Sequence, residues 1–155
     1  MVRLRTFVLA SLLGLAAFAA RAELVTFTTT PLTIDTTAGP QHFTVEMALT
    51  PQQEEQGLMY RRTLAPDAGM LFMQPQTRTA VFWMKNTLIP LDMIFIAQDG
   101  RIADIHERAV PLSEAAIASK VPVRAVLEVN GGTVARLNIK VGDRVHDKAL
   151  GNAPG

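Results

Sequence analysis

Apolar and polar residues alternate with a period of two over much of the chain beyond Leu24, and Gly or Pro interrupts the alternation every eight to twelve positions. That pattern predicts short strands with one buried face, because successive side chains of a strand point to opposite sides. His42–Leu49 sets Phe43, Val45 and Met47 against Thr44, Glu46 and Ala48. Thr50-Pro51-Gln52-Gln53 follows, a capping-box start for a short helix that Gly57 ends. Met70–Met73, closed by Pro75, and Arg78–Asn86 read as further strands, the second separating Phe82 and Met84 from Trp83 and Lys85.

Leu91–Ala97 and Arg101–Glu107 flank Asp99-Gly100, a pair suited to the two central positions of a type I′ hairpin turn. Counting outward places Gln98 opposite Arg101, Ala97 opposite Ile102, Ile94 opposite Ile105, Met93 opposite His106 and Asp92 opposite Glu107. Ser113–Ser119 is expected to hold a turn or two of exposed helix and Val123–Val129 a strand. Thr133–Asn138 reads as a short helix capped by Thr133, before a last strand through Val145. The result is an α+β domain: a mostly antiparallel, strongly twisted sheet curling toward a barrel, with two or three short helices. Met47, Leu71, Phe72, Phe82, Ile94, Phe95, Ile105, Leu127 and Leu137 are its expected core.

Residues 1–22 have the pattern of a signal peptide: Arg3 and Arg5, an apolar run from Phe7 to Ala20, and a small-x-small step at Ala20-Arg21-Ala22. Cleavage near Ala22 predicts a periplasmic or secreted protein, and the run is shorter than the roughly 20 residues of a retained span. Residues 23–147 are then one domain, followed by a disordered tail over 148–155. Losing the signal moves the formal charge from +1 to −2 and leaves no basic run beyond Arg61-Arg62, which argues against a nucleic-acid or polybasic membrane partner. The chain has no Cys, so disulfides, thiolate metal sites and a Cys nucleophile are excluded.

The chemistry concentrates between Gly57 and Gly100, where the only Trp, the only Tyr and five of the seven Met fall. Trp83, Lys85 and Asn86 can bind a ligand through stacking, charge and amide hydrogen bonds, and Lys85 is placed to lie near the Trp83 ring. Arg61, with Arg62, either clamps a carboxylate or phosphate or pairs with Glu128 or Asp92 inside the domain. Asp92 and Glu107, directly opposite in the counted register, would place two carboxylates roughly 5 Å apart at Cβ, the arrangement of an acid/base couple; a one-residue bulge dissolves that pair. Met59, Met70, Met73, Met84 and Met93, with Trp83 and His106, invite a Cu(I) reading, although they also alternate as core positions do. No nucleophile elbow, paired-His zinc spacing or phosphate-cradling Gly loop occurs. No cofactor is implied.

Gly57-Leu58-Met59-Tyr60-Arg61, Gly69-Met70-Leu71-Phe72, Phe82-Trp83-Met84-Lys85-Asn86-Thr87, Pro90-Leu91-Asp92, Asp99-Gly100-Arg101-Ile102, Leu127-Glu128-Val129-Asn130-Gly131-Gly132 and Gly142-Asp143 occur in this order. As a set they resemble the domain of unknown function 192 family of bacteria and archaea, over roughly Phe43 to Asp147. The resemblance implies an exported, compact, mostly β domain and brings no activity, cofactor or substrate with it. Ala125 departs from the aromatic residue common at that position, and a lipid anchor is excluded because Cys is absent. The leading expectation is a binding or accessory module for a small polar or anionic ligand or a partner segment, at Arg61, Trp83, Lys85, Asn86, Asp92 and Glu128. A hydrolase or lyase built on Asp92 and Glu107 is the alternative.

Overall fold

The computed structural model describes residues 25–153; the predicted signal peptide lies outside the described residues. In chain order the elements are β1 (Thr28–Thr36), β2 (Gly39–Ala48), α1 (Pro51–Gln56), β3 (Ala68–Arg78), β4 (Val81–Phe82), β5 (Leu91–Ile96), β6 (Ile102–Ala109), β7 (Ile117–Ala118), β8 (Val123–Asn130), α2 (Thr133–Leu137) and β9 (Arg144–His146). Seven of the strands form one sheet in the order β6-β5-β8-β3-β2-β1-β9, and β4 pairs with β7 separately. All neighbours in the large sheet are antiparallel except β2 and β3. A parallel pair needs a crossover, and α1 with the loop after it supplies one. The sheet is therefore mixed and open. Its two edges meet at one corner, where Ile102 N donates to Asp143 O and Val145 N to Gly100 O, each at 2.8 Å.

The capping box forms as the sequence predicts. The Thr50 hydroxyl accepts from Gln53 N, and the Gln53 side chain accepts from Thr50 N. Strand alternation then divides the interior into two layers. On one face Leu32, Ile34, Phe43, Leu71, Ile94, Ile102, Leu127 and Val145 pack with Val134 of α2, so every strand of the large sheet contributes. On the other, Met70, Phe72, Leu91, Met93, Phe95 and Val126 pack under Leu58, Ala80 and Met84. Burying each such large side chain contributes about 1.5–3 kcal/mol. With both faces covered, all six residues of β5 are buried. Gly69 lets β3 approach β8, since a Cβ there would stand 2.6 Å from the Glu128 carbonyl oxygen.

Ile94 pairs with Ile105 and Met93 with His106, as counted. The hairpin around them differs. Its end pairs Ile96 with Ile102, and irregularities lie between Phe95 and Ile96 and between Leu91 and Met93. The second puts Leu91 opposite Ala109, so the expected Asp92–Glu107 pair does not form. Of the expected Arg78–Asn86 strand, Arg78 ends β3 opposite Val123 and only Val81–Phe82 forms a strand of its own, whose partner Ile117–Ala118 lies where an exposed helix was expected. β3 runs past Pro75 through an irregular stretch. The expected disordered tail is ordered at its start: Lys148–Leu150 form a 3-10 turn, and the Asn152 amide donates to Val145 O at 2.8 Å.

Candidate functional site

The exit of α1 and the Trp83 segment face each other across a cleft of about 410 Å³. One wall is Gln52, Glu55 and Gln56 of α1 with Met59 and Tyr60; the other is Trp83, Lys85 and Asn86. Backbone bonds hold the walls in place. Tyr60 N donates to Asn86 O at 2.9 Å, Met84 N to Ser113 O at 2.9 Å and Leu112 N to Thr87 O at 3.1 Å. Tyr60, Asn86 and Leu112 have φ of 65°, 56° and 63°, a left-handed conformation that costs a non-glycine residue about 1–2 kcal/mol and is retained where surrounding contacts impose it. Phe82 anchors the segment by an edge-on contact with Phe72, ring centroids 5.1 Å apart. Met84 turns inward and is wholly buried, so its neighbours Trp83 and Lys85 turn out. Trp83 is 50% exposed, and the Lys85 ammonium lies 5.3 Å from its ring centroid. This is the expected cation–π pair.

A narrower channel of about 40 Å³ lies deeper and shares Glu55, Gln56, Met59 and Trp83 with the cleft. Phe72, Phe82, Thr87 and Glu128 line it as well. Glu128 sits in the middle of β8, in register with Met70 of β3 on one side and Met93 of β5 on the other. It is 4% exposed, and among the described residues no side-chain hydrogen bond reaches its carboxyl group. Burial pushes that carboxyl up to about 8 from the usual 4.5. At neutral pH it is held largely protonated, and it lines the channel.

Trp83, Lys85, Asn86 and Glu128 thus line two adjoining hollows that share four residues, and the remaining candidates do not. Arg61 pairs with Glu46 of β2 and stacks 5.7 Å above the Phe27 ring, correcting the expected partners Glu128 and Asp92. Asp92 points to the opposite face of the sheet from Glu128, since it alternates with Leu91 and Met93 along β5. It is wholly buried, and its carboxylate accepts from Arg108 N at 2.8 Å, Gly132 N at 3.0 Å and Val134 N at 2.8 Å. Two of those donors open α2, so Asp92 caps it from a distance. Thr133, the expected cap, is the first helical residue and is buried behind Gly132. Glu107 is exposed on the edge strand. The methionines do not converge either: Met73 packs on the first core, whereas Met70, Met84 and Met93 fill the second. Among the described residues no group of three His, Asp or Glu is placed to hold a metal ion, and no helix is long and apolar enough to cross a membrane.

The α1 wall escaped sequence reasoning. Gln52, Glu55 and Gln56 look like an ordinary solvated helix face, and only the position of α1 just before the Gly57-Leu58-Met59-Tyr60 turn hinted at their role.

The family model for DUF192, described as an uncharacterized ACR, matches residues 32–146, nearly the whole folded region. The chain belongs to this family. No curated protein matches it. Among solved structures, a Sinorhizobium meliloti 1021 protein whose description proposes a transcription regulator is 52% identical, with a TM-score of 0.78 over 81% of this chain and 98% of that one. A match of similar extent is a protein of unknown function from Novosphingobium aromaticivorans DSM 12444, 43% identical, with a TM-score of 0.74 over 76% of this chain and 84% of that one.

Proposed function

We propose that this DUF192 domain is a non-enzymatic binding or accessory module, exported after signal cleavage, that captures a small polar or anionic ligand or a partner segment in the cleft at Trp83. One observation carries the reading: the only indole of the chain stands half exposed on the wall of a 410 Å³ cleft, with the Lys85 ammonium against its face. A large aromatic surface left in water beside a fixed cation and an amide is a recognition surface, with body for stacking and polar groups for orientation. The strained backbone of Tyr60, Asn86 and Leu112 supports it, because such strain gathers where a rim must keep its shape for a ligand. The meeting of Gly100–Ile102 with Asp143–Val145 likewise supports a sheet that curls toward a barrel.

Catalysis by Asp92 and Glu107 loses its basis, because one carboxylate is saturated by backbone donors and the other stands beyond a bulge. A role on DNA, which the description of the Sinorhizobium protein raises, has little support in a domain whose formal charge without residues 1–22 is −2.

The test is a thermal-shift screen of periplasmic metabolites, glycan fragments and short peptides, repeated on Trp83→Ala and Lys85→Met. A ligand selective for the folded state raises the melting temperature. Hits that vanish in both variants support the cleft; hits that persist in both place binding elsewhere and refute it.

A further inference from the structure

We propose that the channel beneath Trp83 is a subsite for an uncharged oxygen, the hydroxyl or carbonyl tip of the bound ligand, which accepts a hydrogen bond from the Glu128 side chain. The proposal rests on the cleft being a ligand site and adds what its inner end selects.

The register places Glu128 in a row with Met70 and Met93, two thioethers that offer it no strong hydrogen-bond partner. That leaves its hydrogen-bonding capacity to a partner entering from the channel, which Glu128 lines. The channel suits one small group. A water molecule needs about 10–15 Å³ of such space, and the 40 Å³ available admits a hydroxymethyl or an amide carbonyl but not a ring. The ligand body must stay in the outer cleft, against Trp83.

Charge then selects the tip. Lys85 and Asn86 line the cleft but not the channel, whereas Glu54 and Glu55 of α1 border the channel itself. An anionic tip would meet carboxyl groups and no cation. An ammonium tip would be desolvated beside a Glu128 that burial keeps protonated, with no countercharge from that carboxyl. An uncharged acceptor meets a ready donor and disturbs neither.

Three small probes separate these cases at pH 6 and constant ionic strength: acetamide, sodium acetate and methylammonium chloride. The readouts are the carboxyl carbon resonance of Glu128 by NMR and the fluorescence of Trp83. Acetamide is expected to shift the Glu128 resonance saturably and to bind at least tenfold more weakly to Glu128→Leu than to the isosteric donor variant Glu128→Gln. Glycerol in place of acetamide distinguishes a hydroxyl from a carbonyl tip. Tighter binding of acetate or methylammonium with a shift at Glu128 overturns the assignment, as does a Glu128 resonance that no probe moves. In that last case the screening ligands still lost on Trp83→Ala would leave the outer cleft standing and remove the inner subsite alone.

Discussion

Glu128→Gln tests the physics of the site most directly, through stability and its dependence on pH. The folded protein holds Glu128 protonated up to about 8, whereas the unfolded chain releases the proton near 4.5. Folding therefore takes up a proton between those values, and the contribution of this residue to stability is whole below pH 4.5 and falls as pH rises toward 8. At about 1.4 kcal/mol per pH unit, the loss is about 3 kcal/mol at pH 7 and about 4–5 kcal/mol at pH 8. Gln has nearly the same shape and no charge to lose. Urea unfolding of the two proteins should give curves whose offset at pH 4.5 reports packing alone, and from there the variant should gain about 3 kcal/mol by pH 7. With an m-value of about 1.5–3 kcal/mol/M, that is a shift of about 1–2 M in the midpoint. The Lys85 and Glu55 charges at the cleft and Glu54 at the channel mouth are common to both proteins and cancel in the difference. An offset that stays within about 0.5 kcal/mol from pH 4.5 to 8 would show that Glu128 ionises freely, and the buried donor would be lost from the argument.

Asp92→Asn should cost about 2–4 kcal/mol in urea unfolding, because an amide cannot satisfy three backbone N–H groups, while Glu107→Gln changes stability by less than about 0.5 kcal/mol; equal effects would restore the paired-carboxylate reading. Gly69→Ala should destabilise by more than about 2 kcal/mol, since its Cβ meets the Glu128 carbonyl at 2.6 Å; a neutral result would mean that β3 and β8 part easily. Cu(I) should bind no tighter than to a free methionine peptide, as read by competition with a chromophoric chelator, because Met70, Met84 and Met93 are core residues. Stoichiometric tight binding would contradict their role as packing.

Much of the architecture is legible in residues whose information is local. Thr50-Pro51-Gln52-Gln53 encodes its own capping box, and the alternation of Phe82, Trp83, Met84 and Lys85 shows which side chains turn out, even though the strand there stops after Phe82. What depends on distant partners is not legible. A bulge adds a residue without altering the alternation on either side, so the sequence leaves the Asp92–Glu107 pairing open and only the alignment of β5 with β6 in space decides against it. The role of Asp92 as a cap for α2 joins residues forty apart, and the parallel β2–β3 pair follows from where the crossover lands. Glu128 carried a signal that was available: a carboxylate amid Val126, Leu127 and Val129 has to face something other than water.

The corner where Gly100–Ile102 meets Asp143–Val145 also bears on how copies of the domain behave toward one another. An open sheet normally ends in two rows of free peptide groups that can recruit a foreign strand. Here β9 covers Thr33–Asp35 of β1 and is stitched to the start of the other rim, the free edge left on β1, Thr28–Leu32, is short and broken by Pro31, and the remainder of the second rim is interrupted by bulges and carries exposed His106, Glu107 and Arg108. Side-by-side stacking into fibres finds no long flat template, so the domain can tolerate high local concentration without a disulfide to lock it.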